Sequence, residues 1–559
     1  MNNELWSHLK VWLAYLKPHK KELTSGIVMQ VVSTISVLII PSLVGYVSVA
    51  IISPERTNSF NIKEVFLIVI LLLFIRALFQ FLGSSLLGTV HEKVIVDLQA
   101  NVYNHTQRLP LTWFNDRKHG DLMAIINRDT SHLAGFIAGS LPALIPTIFL
   151  FLAVMIMMMT IDLLLGFLVV LLLPIFYLIS KLIGKQLRKS SDKLVKSYGK
   201  AVAIADENLN RIADIKAFNR ESYETGRFRE MMNEVLSQSI SVVRLNSALG
   251  PAIQFMAASG IVALIWLTGG QVAVGAITPA QQVSFLLYGL LLAQPVSMLA
   301  SIYGRMQLAL AAAKRLEEIT QQTIESDQGV ELTSEDVTGG LTFNKVSFSY
   351  PQREPLIKEL DLTIKKGETI AITGKNGAGK STLIHLLLRF YEPDSGTIYL
   401  DETDIQQLSI HSLRGQIGLV SQNITLINGS IKENIGYGKE TATDLEIESA
   451  CQLAGLDRFI NQLPQQIETQ IGDHGTKLSG GQKQRLALAR CLLKGAKIII
   501  LDEATAMFDP KGETDFIKKA AQSLKDKTVI IITHRKASLE LADHIYELKA
   551  GKINLVDKR

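Results

Sequence analysis

Cysteine is nearly absent: Cys451 and Cys491 are the only two in 559 residues, and neither shows CxxC or Cys/His ligand spacing. Neither a disulfide framework nor a zinc site is indicated, and both read as cytosolic thiols. Charge is scarce as well. Asp, Glu, Lys and Arg make up 19% of the chain while 48% is hydrophobic and mean hydropathy is +0.24. A disordered chain needs the opposite balance. With so apolar a composition nucleic-acid binding recedes too, and the +5 left by 57 basic against 52 acidic residues is a mild excess that could be spread over a solvated surface or collected on one side of a membrane. At roughly 100–200 residues per domain the length predicts about three to five domain-sized units, which rules out one small domain.

What is abundant is long apolar sequence. Six segments before residue 305 are long enough to span ~30 Å of hydrocarbon: Thr24–Ile52, Val65–Thr89, Phe136–Met159, Leu163–Ile183, Ala252–Gly269 and Val283–Ile302. The first is too long, and too far behind a charged lead, for a cleaved signal peptide, so it is expected to stay as a helix. Lys and Arg set the orientation. The connections Ser53–Glu64, Thr160–Asp162 and Gly270–Gln282 hold only Arg56 and Lys63, whereas the second and fourth hold Arg108, Arg117, Lys118, Arg128, Lys185, Arg188, Lys189, Lys193, Lys196 and Lys200. The positive-inside rule therefore puts both termini and both long connections in the cytoplasm.

The lead, with Leu5, Trp6, Leu9, Trp12, Leu13 and Leu16 before Lys17, Lys20 and Lys21, suits either an interfacial helix with Trp at headgroup depth or a plain helix start. In Val90–Arg108 and Gln186–Arg229 apolar residues recur at helical spacing without Pro. The membrane helices are thus expected to run on into the cytoplasm.

From about Glu325 the composition turns polar. A linker of acids, Ser, Thr and Gly, Glu325–Gly340, precedes a strand at Leu341–Phe348 and another at Glu368–Thr373. The run Gly374, Lys375, Asn376, Gly377, Ala378, Gly379, Lys380, Ser381, before the helical Thr382–Phe390, then fits GxxxxGK[ST] in its strand–loop–helix context. Backbone N–H groups would cradle phosphate, Lys380 would reach the β and γ oxygens, and Ser381 would ligate Mg²⁺. The aliphatic Ile498–Leu501 predicts a strand buried on both faces, with Asp502 and Glu503 at its carboxyl end, where α/β sheets place ligands. Asp502 suits Mg²⁺ held through water, and Glu503 suits orienting or deprotonating the attacking water. Leu478, Ser479, Gly480, Gly481 and Gln482 open a helix whose N-terminus offers N–H groups and positive dipole to an anion.

Together these motifs resemble an ATP-binding cassette transporter of the exporter type, and the resemblance covers nearly the whole chain. It implies an α-helical transmembrane domain of six spans (1–324), the linker (325–340) and an α/β P-loop NTPase domain (341–559). By the same resemblance Leu478–Gln482 is the signature motif that binds the γ-phosphate of ATP held by a partner's P-loop, Asp502 is the Walker B carboxylate, and Glu503 is the catalytic base. Tyr350 matches the aromatic that stacks on adenine, Gln422 the glutamine that touches Mg²⁺ and water, and His534 the switch histidine on the γ-phosphate. Glu468–Gly475 resembles the exporter X-loop, with Asp473-His474 where Glu-Arg is usual. Phe114–Leu122 and Ile212–Phe218 resemble the two intracellular coupling regions. One departure stands out: Ala506-Met507-Phe508-Asp509 replaces the usual Ser-Ala-Leu-Asp.

A chain with one membrane half and one cassette is a half-transporter that needs a second copy or a paralogue. The resemblance also implies a multi-pass protein of a bacterial inner membrane, with ATP and Mg²⁺ as cofactors. A drug, lipid or peptide-like cargo is the expectation, and an ATP-gated channel or membrane sensor is the alternative. Arg76, midway along the second apolar segment, is a functional candidate by position, against a structural Arg paired on a neighbouring helix. Met155, Met157, Met158 and Met159 face several directions and read as adaptable packing. Gln254, Gln281, Gln282 and Gln294 offer only scattered hydrogen bonds.

Overall fold

The apolar segments fold as six long helices, because in lipid only intrahelical bonds satisfy the backbone. These are α1 (Lys20–Ile52) and α2 (Ile62–Gln107), then, after the short α3 (Leu111–Asn115), α4 (Leu141–Ile161) and α5 (Leu163–Asn210). The short α6 (Ile212–Ala217) precedes α7 (Glu221–Ala273) and α8 (Pro279–Thr320). The computed structural model describes residues 9–52, 62–115, 117, 119–273, 275–333, 336–472, 475, 477–504, 522 and 524–558. The Ala506–Asp509 departure, Asp473-His474, Trp6, Asp116 and Lys118 lie outside them, as do the side chains of residues 171–184 and Gln254.

At 1.5 Å per residue a helix of more than 40 residues measures over ~60 Å, about twice the hydrocarbon thickness. Helices α2, α5, α7 and α8 have 46, 48, 53 and 42 residues, so each continues past its apolar segment. The stretch Gln186–Arg229 is not one helix. It reverses after α6, where Asn219 takes φ +52°, a left-handed conformation that Asn tolerates better than most residues. Asp162 alone joins α4 to α5, its Oδ1 accepting from Leu165 N at 2.9 Å as the cap of α5.

Contacts divide the chain into two units: Met1–Gln107 with Lys118–Gln322, and Arg108–Arg117 with Thr323–Arg559. In the first, α1 and α8 meet closely. A Cβ on Gly45 would lie 2.1 Å from Ser284 Oγ, so only glycine permits the approach. Nearby, Tyr288 donates to Leu38 O at 2.9 Å and Ser284 to Pro41 O at 3.0 Å. Hydroxyls thus satisfy carbonyls beside a helix proline, where water is not at hand. Met155 and Met158 are buried in a cluster with Leu165, Phe285 and Tyr288, as packing groups. Gln281 completes a capping box with Thr278, and Gln282 donates to Thr268 Oγ1 at 3.1 Å. Gln281 thus caps the start of its own helix, while Gln282 ties α8 to α7.

Trp12 shows what covers the described part of the lead. It is 3% exposed and packs with Leu9 against Val90, Val94 and Leu98 of α2 and Leu316 of α8. Protein covers this ring, which corrects the headgroup-depth alternative for Trp12, while Trp6 lies outside the described residues.

The second unit has two sheets. One is antiparallel, in the order β2 (Ile357–Ile364), β1 (Leu341–Phe348), β4 (Ser395–Leu400), β5 (Thr403–Asp404). The other has six strands: β10 (Lys552–Lys558), β9 (His544–Lys549), β3 (Thr369–Thr373), β8 (Thr528–Ile532), β7 (Ile498–Asp502) and β6 (Ile417–Val420). Its pairs are parallel except β10 with β9. Helix α9 (Lys380–Leu387) packs between the sheets among Phe343, Ile372, Ile500 and Ile532. On the other side α10 (Ile410–Gly415) leads into β6, and α11 (Ile431–Gly436), α12 (Asp444–Leu453) and α13 (Gly480–Leu493) follow in chain order. The last three enclose a second core with Ile499 and Ile531. Both cysteines are buried there, and burial pushes both thiols up to about 12, so they act as packing groups.

Candidate active site

All five residues of β7 are buried, so its aliphatic run fills both faces and delivers Asp502 and Glu503 to its carboxyl end. Parallel neighbours β8 and β3 end at the same edge. The loop between β3 and α9 turns on Gly374, Gly377 and Gly379, with φ of 148°, 80° and 104°. A Cβ at Gly374 would stand 2.5 Å from Leu548 O, so a side chain would break the cradle as well as strain it. Lys380 opens α9, 8% exposed, with Nζ donating to Gly374 O at 2.5 Å and lying 3.2 Å from His534 Nε2.

Ser381 Oγ donates to Asp502 Oδ2 at 3.4 Å, and Gln422 Nε2 donates to Glu503 Oε2 at 2.6 Å. Glu503 sits at φ +49°, its N–H held by Ile532 O at 2.9 Å. A left-handed non-glycine at a strand end is the kind of strained backbone that surrounding contacts must hold in place. Burial, then the neighbouring Glu503 carboxylate, push Asp502 above the usual carboxylate range, against the pull of Ser381 and Lys380. Ser381, Asp502 and Gln422 present hard oxygen donors of the kind Mg²⁺ takes, beside two acids whose repulsion a cation would relieve. The residues present therefore fit Mg²⁺.

A cavity of about 610 Å³ joins Tyr350, the loop Asn376–Ser381, Thr382, Gln422, Asp502 and Glu503, a size suited to a nucleotide-scale ligand. Tyr350 is anchored by a 3.2 Å hydrogen bond between its hydroxyl and Thr382 Oγ1. The same cavity is lined by Arg353, Glu354 and Leu356. Sequence reasoning missed those three; the signal was their place within a few residues of Tyr350-Pro351. Ser479, Gly480, Gly481 and Gln482 are not part of this lining. They form the start of α13, where Ser479 Oγ accepts from Gln482 N at 3.3 Å and Gln482 Oε1 accepts from Ser479 N at 2.8 Å. Eight of the described cassette motifs' residues thus meet in one chain, from Tyr350 through Lys380, Ser381, Thr382, Gln422, Asp502 and Glu503 to His534. The signature segment stands apart from them.

Comparison with known proteins agrees with this geometry. A family model described as ABC transporter transmembrane region matches residues 23–296, and one described as ABC transporter matches 357–506. The chain is 30% identical to an ATP-dependent lipid A-core flippase of Chromohalobacter salexigens, over 99% of this chain and 95% of that one. A protein of the same name from Thiobacillus denitrificans is 31% identical, over 97% and 93%. Among solved structures, a bacterial Atm1-family ABC exporter with ATP bound superposes with TM-score 0.84 at 26% identity, covering 96% of this chain and 94% of that one. With a helical membrane half and a P-loop cassette on one chain, this integral membrane protein belongs to the ATP-binding cassette transporters, as an exporter-type half-transporter whose ATPase is coupled to transport.

Proposed function

We propose that two copies of this chain form an exporter in a bacterial inner membrane, with termini and ATPase domains cytoplasmic, that moves an anionic, lipid-like amphiphile. The relatives' name, lipid A-core flippase, supports a lipid-like cargo. The observation that carries the anionic part is Arg76. It is half-buried within α2, its carbonyl accepts from Ser33 Oγ at 3.1 Å, and its guanidinium has no hydrogen-bond or ion-pair partner among the described residues. Among the described residues the pairing expected of a structural arginine is not found. An unpaired cation in an apolar span is costly unless it serves a ligand of opposite charge.

In the cassette, the loop Gly374, Lys375, Asn376, Gly377, Ala378, Gly379 presents N–H groups to the phosphates, and Lys380 reaches the β and γ oxygens. Ser381, Asp502 and Gln422 would hold Mg²⁺, which would supply positive charge to the departing phosphoryl oxygens. Glu503, steadied by Gln422, takes a proton from water as the water oxygen bonds to the γ-phosphorus and the bridge to the β-phosphate breaks. His534 donates to the γ-phosphate, and Tyr350 stacks on adenine. Ser479, Gly480, Gly481 and Gln482 of the second copy close over the γ-phosphate, which accounts for their separation from the cavity of their own chain.

The test is transport in proteoliposomes. Anionic amphiphiles should stimulate ATP hydrolysis and cross the bilayer with ATP, and Arg76→Ala should remove the preference for anionic over zwitterionic headgroups by ~10-fold, the scale of one charge-assisted contact. A wild-type protein indifferent to headgroup charge defeats the anionic reading. Absence of any ATP-dependent flux defeats export.

A further inference from the structure

The segment Arg108–Arg117 follows directly on α2, yet its contacts place it with the cassette. At its tip, Asn115 Nδ2 donates to Tyr391 Oη at 2.5 Å. Tyr391 follows α9 and belongs to a knot of rings. Its centroid lies 5.1 Å from that of Tyr350, edge to face at 83°, and 5.5 Å from that of Phe348. Phe348 in turn meets Tyr350 at 5.0 Å and 82°. His385 of α9 stacks on Tyr391 at 5.9 Å, and burial holds its imidazole below the ordinary value, toward the neutral form.

The turn that carries Tyr391 is itself gripped. Arg414 donates to Leu388 O at 3.0 Å, lies over the Phe390 ring at 4.9 Å, and pairs in bidentate fashion with Glu325 at 2.7 and 2.9 Å. Glu325 N–H closes the circle on Arg108 O at 2.8 Å. Both ends of the α3 segment are therefore tied to one turn, and the ring that faces Tyr350 stands on it.

From this geometry we infer that Tyr391 is a positioning residue for adenine, fixing the Tyr350 ring through edge-to-face packing, and that Asn115 makes that position depend on α3. The inference rests on Tyr350 being the adenine-stacking ring. Edge-to-face pairs and single hydrogen bonds are each small, so the effect belongs on nucleotide affinity, not on phosphoryl chemistry. A change at the end of α2 then reaches the base of the nucleotide through two side chains.

The experiment measures KM for ATP, and Ki for inorganic triphosphate as a competitor lacking the base, on the full-length protein in lipid. Tyr391→Phe keeps the ring and removes the hydroxyl; Asn115→Ala removes its donor. Each should raise KM by ~2–10-fold while the Ki of inorganic triphosphate stays within ~2-fold. The double variant should match either single one, because both remove the same bond. Tyr350→Ala should raise KM and cancel any further effect of Asn115→Ala. If Tyr350→Ala leaves KM unchanged, the stacking assignment fails and the inference with it. If Tyr350→Ala raises KM but Tyr391→Phe and Asn115→Ala do not, or if all ligands weaken alike, the inference alone is overturned. Tyr391→Phe is conservative enough to keep the test open should Asn115→Ala disturb folding.

Discussion

The turn Leu111–Asn115, which runs into the Phe114–Leu122 stretch likened to a coupling region, and the turn Ile212–Ala217 within the other such stretch are in opposite physical states. Leu111–Asn115 is bonded into the cassette of its own chain through Asn115 and, at Arg108, through Glu325. The second, at Ile212–Ala217, buries Ile215 alone, while Leu209, Phe218 and Tyr223 around it are 71%, 75% and 62% exposed. Aromatic and aliphatic side chains gathered at a helix reversal form an exposed apolar patch of the kind that marks an interaction surface. Within this chain, then, the first turn is held by hydrogen bonds while the second presents bare apolar side chains, and the proposed second copy is what could cover it.

The largest test of this contrast first arrests the cycle. Glu503→Gln should keep ATP binding and lower turnover by ~10²–10⁴-fold, leaving a state in which both turns can be probed with nucleotide present. Retention of a third or more of the wild-type rate would remove Glu503 from the role of base. Next comes the dimer itself. Lys380→Ala and Gly480→Asp should each abolish hydrolysis, whereas coexpression should restore about a quarter of it, because half of randomly assembled dimers are mixed and each of those keeps one intact shared site. No recovery, together with no ATP-dependent cross-linking of the mixed pair, would argue for a paralogous partner instead.

Phe218→Asp addresses the bare turn. A carboxylate there should cost the folded chain within ~0.5 kcal/mol, as exposed substitutions do, but should weaken ATP-dependent association by ~30-fold or more if the ring is a contact anchor. Unchanged association would mean that the turn stays bare in the working protein. The smallest effect is expected at the covered turn. Glu325→Ala removes a half-buried bidentate pair worth about 1–2 kcal/mol, so amide exchange should quicken across residues 108–117 and remain the same across 212–218. Equal change in both turns would erase the distinction.

Local pattern made much of this legible. The glycine-rich loop, the aliphatic strand before Asp502-Glu503 and the capped start of α13 are contiguous, and their roles follow from backbone demands that a few neighbouring residues meet. Trp12 was ambiguous because an amphipathic lead looks the same whether lipid or helices cover it. Asn219 was missed because the apolar spacing of Gln186–Arg229 continues through the reversal.

By itself, then, the sequence determined the membrane half, its expected orientation, the order of the cassette motifs and most of the residues that line the cavity beside the P-loop, though not Arg353, Glu354 and Leu356. These depend on composition, on charge bias and on spacing along one segment, all of which a linear string carries. Only the tertiary structure decided that Arg108–Arg117 belongs with the cassette, that the guanidinium of Arg76 finds no partner among the described residues, and that Asn115 meets Tyr391 from 276 positions away. Each is a statement about which surfaces cover which others. A hydrogen bond of that span leaves no periodicity behind, since neither residue's neighbours along the chain are constrained by the other, and it exists only once the distant segments of that unit have packed.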